Sequence, residues 1–160
     1  MNTATKSEPA GIANADSTWR RVLVPVDFST GNTRVVKYAA GLAGRIGASL
    51  MLVHVVQPFV RADTKPHTWD SEDRRGAKAK QRLGVLGRRM LRYCRVVETA
   101  VRSGITFFEI NEAAKVLRAD LIIMGTRPHD VTCITEANGT TERILRHAPC
   151  PVLIVHEQEA

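Results

Sequence analysis

Five strand-like runs alternate with four helix-like stretches along almost the whole chain, and this alternation constrains the fold more than any other feature. The runs are Trp19 to Val26, Ala48 to Val56, Arg95 to Val101, Leu121 to Met124 and Val152 to Val155. Ala48 to Val56 (ASLMLVHVV) and Leu121 to Met124 are nearly continuous apolar stretches. That pattern suits strands buried on both faces, as in a parallel sheet. Val35, Ala39, Leu42 and Ile46 recur at helical spacing, so 32–46 reads as an amphipathic helix, with Ser29 or Thr30 as its cap and Gly47 as its stop. Ser71 to Leu91 reads as a second helix, with Ala79, Leu83, Leu86 and Met90 on one face. Gly84 and Gly87 each weaken it by about 1 kcal/mol relative to Ala. Thr106 to Glu109 has capping-box spacing and opens a helix to about Arg118; Thr140 to His147 is the last helix. Strictly alternating strands and helices with short connections imply one α/β domain, an open parallel sheet with helices on both faces.

Such sheets bind ligands beyond the carboxyl ends of their strands, where strand order reverses. Asp27 follows the first strand, Val55 ends the second and Gly125 ends the fourth. If the first and fourth strands are neighbours, these residues share one crevice. Gly139-Thr140-Thr141 opens the last helix. Free N–H groups at a helix N-terminus, with a glycine that allows close approach, suit a phosphate.

Charge is concentrated. The segment 61–95 holds eleven bases and four acids, so its net of +7 equals that of the whole chain. A basic helix could dock an acidic partner through Arg74, Arg75, Arg88 and Arg89, or be a solvated face. Aromatics are 5% of residues, too few for base-stacking platforms, which argues against nucleic acid. Cys94, Cys133 and Cys150 are too few and too dispersed for a disulfide framework or zinc site. No apolar run approaches the roughly 20 residues of a membrane span. Residues 1–17 are polar, lack an apolar signal core and read as a flexible tail before a single domain over 18–157. These features fit a cytoplasmic protein.

Specific residues allow two readings each. Asp27 could bind ribose or cap a turn, and Thr140 could contact phosphate or be an N-cap. His54 in its apolar strand reads as a satisfied core histidine rather than a catalytic base. His129 beside Asp130 is a weak acid–base pair, because adjacent loop residues seldom face one target. Nothing sets a nucleophile on a strained elbow.

LVPVDFS at 23–29, LVHVV at 52–56, MGT at 124–126 and GTTERILRHAPCPVLIV at 139–155 resemble the universal stress proteins. The resemblance spans about Arg20 to His156. It implies a Rossmann-like, adenine-nucleotide-binding architecture with strand order 3-2-1-4-5 and a homodimer through Val152, Leu153, Ile154 and Val155. It also implies a crevice for ATP or another adenine nucleotide with Mg²⁺, lined by Val26, Asp27, Val55, Gly125, Thr126, Gly139, Thr140 and Thr141. Nucleotide-binding members carry Gly, two residues, Gly, nine residues, then Gly-Ser/Thr. Here Pro128 stands at the second glycine and the loop is one residue longer. Proline has no N–H to donate and a fixed φ. Asp130 and Glu136 add negative charge nearby, which Arg127 and His129 partly offset. The expected function is a stress-response binding module with weak or absent nucleotide binding. The alternatives are a slow ATPase or adenylyl-transferring enzyme, and an interaction protein acting through the basic helix.

Overall fold

The structure, a computed structural model, describes residues 19–58, 68–126 and 139–156. The expected tail 1–17, the residues Arg127, Pro128, His129, Asp130, Cys133 and Glu136, and most of the 59–70 loop lie outside the described residues.

Among the described residues nine elements follow in order: β1 (Arg21–Pro25), α1 (Thr30–Ile46), β2 (Ser49–Val56), α2 (Thr68–Met90), β3 (Val97–Ser103), α3 (Thr106–Val116), β4 (Leu121–Thr126), α4 (Thr140–His147) and β5 (Val152–His156). The strands form one parallel sheet in the order β3-β2-β1-β4-β5. β1 is central. It pairs with β2 from Arg21↔Ser49 to Pro25↔Val53, and with β4 at Val22↔Leu121 and Leu23↔Ile122. The order therefore reverses between β1 and β4, as expected.

Successive residues of a strand face opposite sides, and the core divides accordingly. Val22, Val24, Leu50, Leu52, Leu121 and Ile123 pack under α1 and α2. Leu23, Met51, Val53, Ile122 and Met124 pack under α3 and α4, against Ile110, Ala113 and Ile144. All strand residues from Val22 to Val24 and from Leu121 to Met124 are buried. The continuous apolar runs are thus explained by helices covering both faces.

Local signals and packing disagree at a few positions. Ser29 caps α1, its side chain accepting from Asn32 N, and Gly47 ends it at φ 72°. The buried stripe of α1 drifts to Val36, Ala40 and Ala43, leaving Ile46 exposed. A straight helix has 3.6 residues per turn, so a stripe walks around it. α2 starts three residues before the expected Ser71. Its Gly87 is buried against β3, where an added Cβ would lie 2.9 Å from the Thr99 methyl. That glycine allows close helix–sheet approach. β3 begins two residues later than its sequence suggests.

The capping box at Thr106 does not form. The N-cap of α3 is Ile105, with no side-chain cap bond. Glu109 instead accepts from Arg102 Nε at 2.7 Å, tying α3 to β3, while Thr106 Oγ1 accepts from Gln57 Nε2 at 2.7 Å. An ion pair and an inter-element hydrogen bond have displaced the local motif.

Candidate functional site

A cavity of about 350 Å³ opens over the carboxyl ends of β1, β2 and β4. Its size falls within the range of small-molecule sites. The α3 and α4 N-termini close its far side through Thr106, Thr140 and Thr141. The β1–β4 reversal produces it: the helix that follows β1, α1, lies on one face of the sheet and α4 lies on the other, with a crevice between them.

Six of the eight expected site residues line this one cavity: Val26, Asp27, Val55, Gly125, Thr140 and Thr141. Thr126 does not. It is buried at the end of β4, with Oγ1 3.1 Å from Nδ1 of His156 on β5. At the last position of β4 it pairs in register with His156 of the edge strand, and its hydroxyl is taken up there. Gly139 also lies off the lining. It is the N-cap of α4, so Thr140 is the first helical residue rather than the cap. Gly139 has φ −70°, and a Cβ there would meet nothing within 4 Å. Neither backbone conformation nor packing among the described residues requires glycine at that point.

Asp27 makes the turn contact and also borders the crevice. One carboxylate oxygen accepts from the Ser29 N–H at 2.8 Å, closing the turn into α1, and the residue borders the crevice. Between them, Phe28 is held at φ 63°. A bulky side chain seldom adopts this left-handed conformation. Its ring lies 4.6 Å from the His54 ring. His54 is half-buried at the crevice wall, its Nδ1 2.6 Å from the Val26 carbonyl oxygen. The histidine is satisfied, as expected, yet it is a wall residue at the strand end rather than a core one.

Sequence reasoning missed Asn32, Gln57 and Thr106, which also line the cavity. Asn32 is 6% exposed; its Nδ2 donates to the Pro25 carbonyl at 3.1 Å, and among the described residues its Oδ1 has no partner. A buried acceptor left unmade costs about 1–3 kcal/mol, so a ligand donor at this point would be favoured. The signal was present: Asn32 stands three residues before Val35, on the apolar stripe of α1, where a polar residue is out of place.

The crevice thus has one apolar side, with Ile110, Met124 and Ile144, and a set of polar groups along its rim. That combination suits a flat, mostly apolar ring with polar edges. The first turn of α4 adds backbone N–H groups without a side-chain cap. Among the described residues, no three His, Cys, Asp or Glu side chains are grouped to hold a metal, and no helix is long and apolar enough to cross a membrane.

The chain matches the model of the universal stress protein family over residues 18–156. It is 25% identical over 147 residues to a universal stress protein of Methanocaldococcus jannaschii, covering 90% of this chain and 86% of that one. It is 28% identical over 138 residues to one of Synechocystis, covering 86% and 85%. Among solved structures, the universal stress protein UspA of Lactobacillus plantarum has a TM-score of 0.73 at 24% identity, over 88% of this chain and 99% of that one. A universal stress protein in complex with cAMP has a TM-score of 0.68 at 22% identity, over 89% and 100%. One from Archaeoglobus fulgidus in complex with dAMP has a TM-score of 0.61 at 20% identity, over 86% and 98%. Matched in sequence over residues 18–156 and in strand order, the chain belongs to the universal stress protein family.

Proposed function

We propose that this protein is a cytoplasmic, homodimeric regulatory module that holds an adenine nucleotide weakly in the switch-point crevice and signals stress through partners. The observation that carries the reading is the convergence of Val26, Asp27, Val55, Gly125, Thr140 and Thr141 on one cavity from the β1–α1 turn and three separate elements. The apolar side accepts a purine face. Asp27 can accept from ribose hydroxyls, and the orphaned Asn32 Oδ1 can accept from a ribose hydroxyl or a ring amine. Relatives of the same fold bind cAMP and dAMP. At 22% and 20% identity those likenesses carry the fold, and the ligand class here rests on the cavity.

Weak binding follows from the loop chemistry. Pro128 cannot donate an N–H to a phosphate, and Asp130 and Glu136 add charge that opposes one unless a cation such as Mg²⁺ intervenes. The apolar crevice remains, so affinity falls rather than vanishes. An expected Kd for adenosine of about 1 mM corresponds to roughly 4 kcal/mol.

The dimer reading is supported by a contrast between the two sheet edges. β3 carries Glu98 and Arg102, charges of the kind that guard an open edge, whereas β5 (VLIVH) carries no acid, lysine or arginine. All four residues from Val152 to Val155 keep partial exposure that a second copy would cover.

Calorimetric titration with adenosine and with ATP plus Mg²⁺ tests the crevice. Binding that weakens at least tenfold in Asp27→Ala supports it. Absence of adenosine and ATP binding up to several millimolar sinks it.

A further inference from the structure

A second cavity of about 520 Å³ adjoins the crevice and shares Asp27, His54, Val55 and Gln57 with it. Its opposite wall is α2, which contributes Arg75, Lys78 and Arg82. These bases follow at i, i+3 and i+7, so they stand on one helical face. Like charges three or four apart destabilise a helix, and among the described residues Asp27 is the only carboxylate in the lining.

All three line the second cavity, and Arg75 and Arg82 are held by contacts in its wall. Arg75 Nη1 donates to the Gln57 carbonyl at 3.3 Å, at the rim shared by the two cavities. The Arg82 guanidinium lies 4.1 Å from the centroid of the Phe28 ring. The unusual φ of Phe28 presents that ring between Arg82 and His54. Strained residues held by their surroundings cluster at ligand sites. Lys78 has no ion pair or hydrogen bond among the described residues.

We infer that Arg75, Lys78 and Arg82 form a phosphate subsite, so that the nucleotide's phosphates lie against α2 instead of the Gly125–Thr140 loop. This inference rests on the crevice holding adenosine. Electrostatics decide between the two ends. Between Gly125 and Gly139 the sequence carries two acids, Asp130 and Glu136, and Pro128, which has no N–H to donate. The α2 end presents three cations in a cavity open to the crevice. Arginine forks and lysine ammonium groups form charge-assisted bonds to phosphate, the stronger class of hydrogen bond.

The test compares affinity for ATP with that for adenosine, and for inorganic pyrophosphate alone, on the full chain without Mg²⁺. Two variants separate the ends. Lys78→Gln/Arg82→Gln removes the α2 cations while keeping good helix formers. Thr140→Pro removes one N–H at the first helical position of α4, where proline is tolerated. Thermal melts establish that each variant folds.

The expected result is ATP binding roughly 10- to 100-fold tighter than adenosine, a gain lost in Lys78→Gln/Arg82→Gln, kept in Thr140→Pro and reduced by salt. Adenosine affinity should stay unchanged in Lys78→Gln/Arg82→Gln; for Thr140→Pro, which alters the crevice lining, the readout is the ratio of ATP to adenosine affinity. A gain lost only in Thr140→Pro, or no gain for ATP in the unaltered protein, overturns the inference while leaving the crevice reading intact. If adenosine does not bind but pyrophosphate does, in a manner that needs Lys78 and Arg82, the crevice reading fails and the anion subsite stands. If neither binds, both fail.

Discussion

Single residues in this fold are constrained mainly by how closely backbones approach. Gly44 and Gly41 both lie in α1, yet their surroundings differ. A Cβ at Gly44 would fall 1.9 Å from the Tyr93 carbonyl oxygen, a backbone atom that cannot swing away, whereas one at Gly41 would meet nothing within 4 Å. Gly44→Ala should therefore destabilise by about 1–3 kcal/mol or more, as overpacking does. Gly41→Ala should be stabilising by about 0.5–1 kcal/mol through helix propensity. Urea midpoints of the two variants would check the contrast. The thiols at Cys94 and Cys150 make a second prediction. Burial pushes both pKa values up, and Asp120 adds to the rise at Cys150. A raised folded-state pKa favours the protonated form, so its stabilising contribution is present below the unfolded thiol's range. It is lost as pH climbs through the folded value. Denaturation midpoints should fall on the alkaline side of the thiol range, and less so in Cys94→Ala/Cys150→Ala at matched reference stability. Both thiols should also react with maleimide at neutral pH more slowly than a free cysteine peptide.

At the scale of elements, ends matter more than middles. Ser29 accepts from Asn32 N at 3.2 Å, and its own N–H donates to Asp27, so one short turn both caps α1 and positions Asp27 at the crevice. Ser29→Ala should cost about 1 kcal/mol of stability, the usual loss of a cap, in equilibrium unfolding. At the other end of the sheet, Asp120 precedes β4 and accepts from the backbone N–H groups of Arg20 and Arg21 at 2.8 and 3.1 Å. It staples the start of β1 to the start of β4, the pair whose divergence opens the crevice. Asp120→Ala should destabilise by about 1–2 kcal/mol, reduced from the buried value because the site is exposed. Hydrogen exchange should rise first at Arg20 and Arg21.

For the whole molecule, the open question of assembly turns on β5. Its Leu153 and Val155 pack toward one face of the core and Val152 and Ile154 toward the other, so the strand is anchored while its outer edge faces outward. Leu153→Glu should lower the light-scattering mass from twice the chain's mass to that of one chain. A protein that is monomeric without the substitution would discard the β5 dimer. The basic surface is a separate property. Arg74, Arg75, Arg88 and Arg89 sit on α2, and all but Arg75 are exposed. An acidic partner docking there should bind more weakly as salt rises, and reversing Arg88 and Arg89 should abolish that dependence.

Strand and helix placement was legible in the sequence because hydrophobic periodicity is a local property: each buried run had to be apolar wherever the chain took it. β1, β2 and β4 were recognisable for that reason, and so was the convergence of Asp27, Val55 and Gly125 once alternation implied a parallel sheet. Tertiary structure alone decided what depends on partners distant in sequence. Glu109 left its capping box because Arg102 was nearer in space, and Gly87 was glycine because Thr99 lay against it. Thr126 left the expected site because it is buried against His156, its partner on the edge strand. Asn32 and the row of Arg75, Lys78 and Arg82 acquired meaning only when folding set them beside cavities. Periodicity is written along the chain, whereas the pairing of polar groups is settled by long-range packing, and a site is made of the second built upon the first.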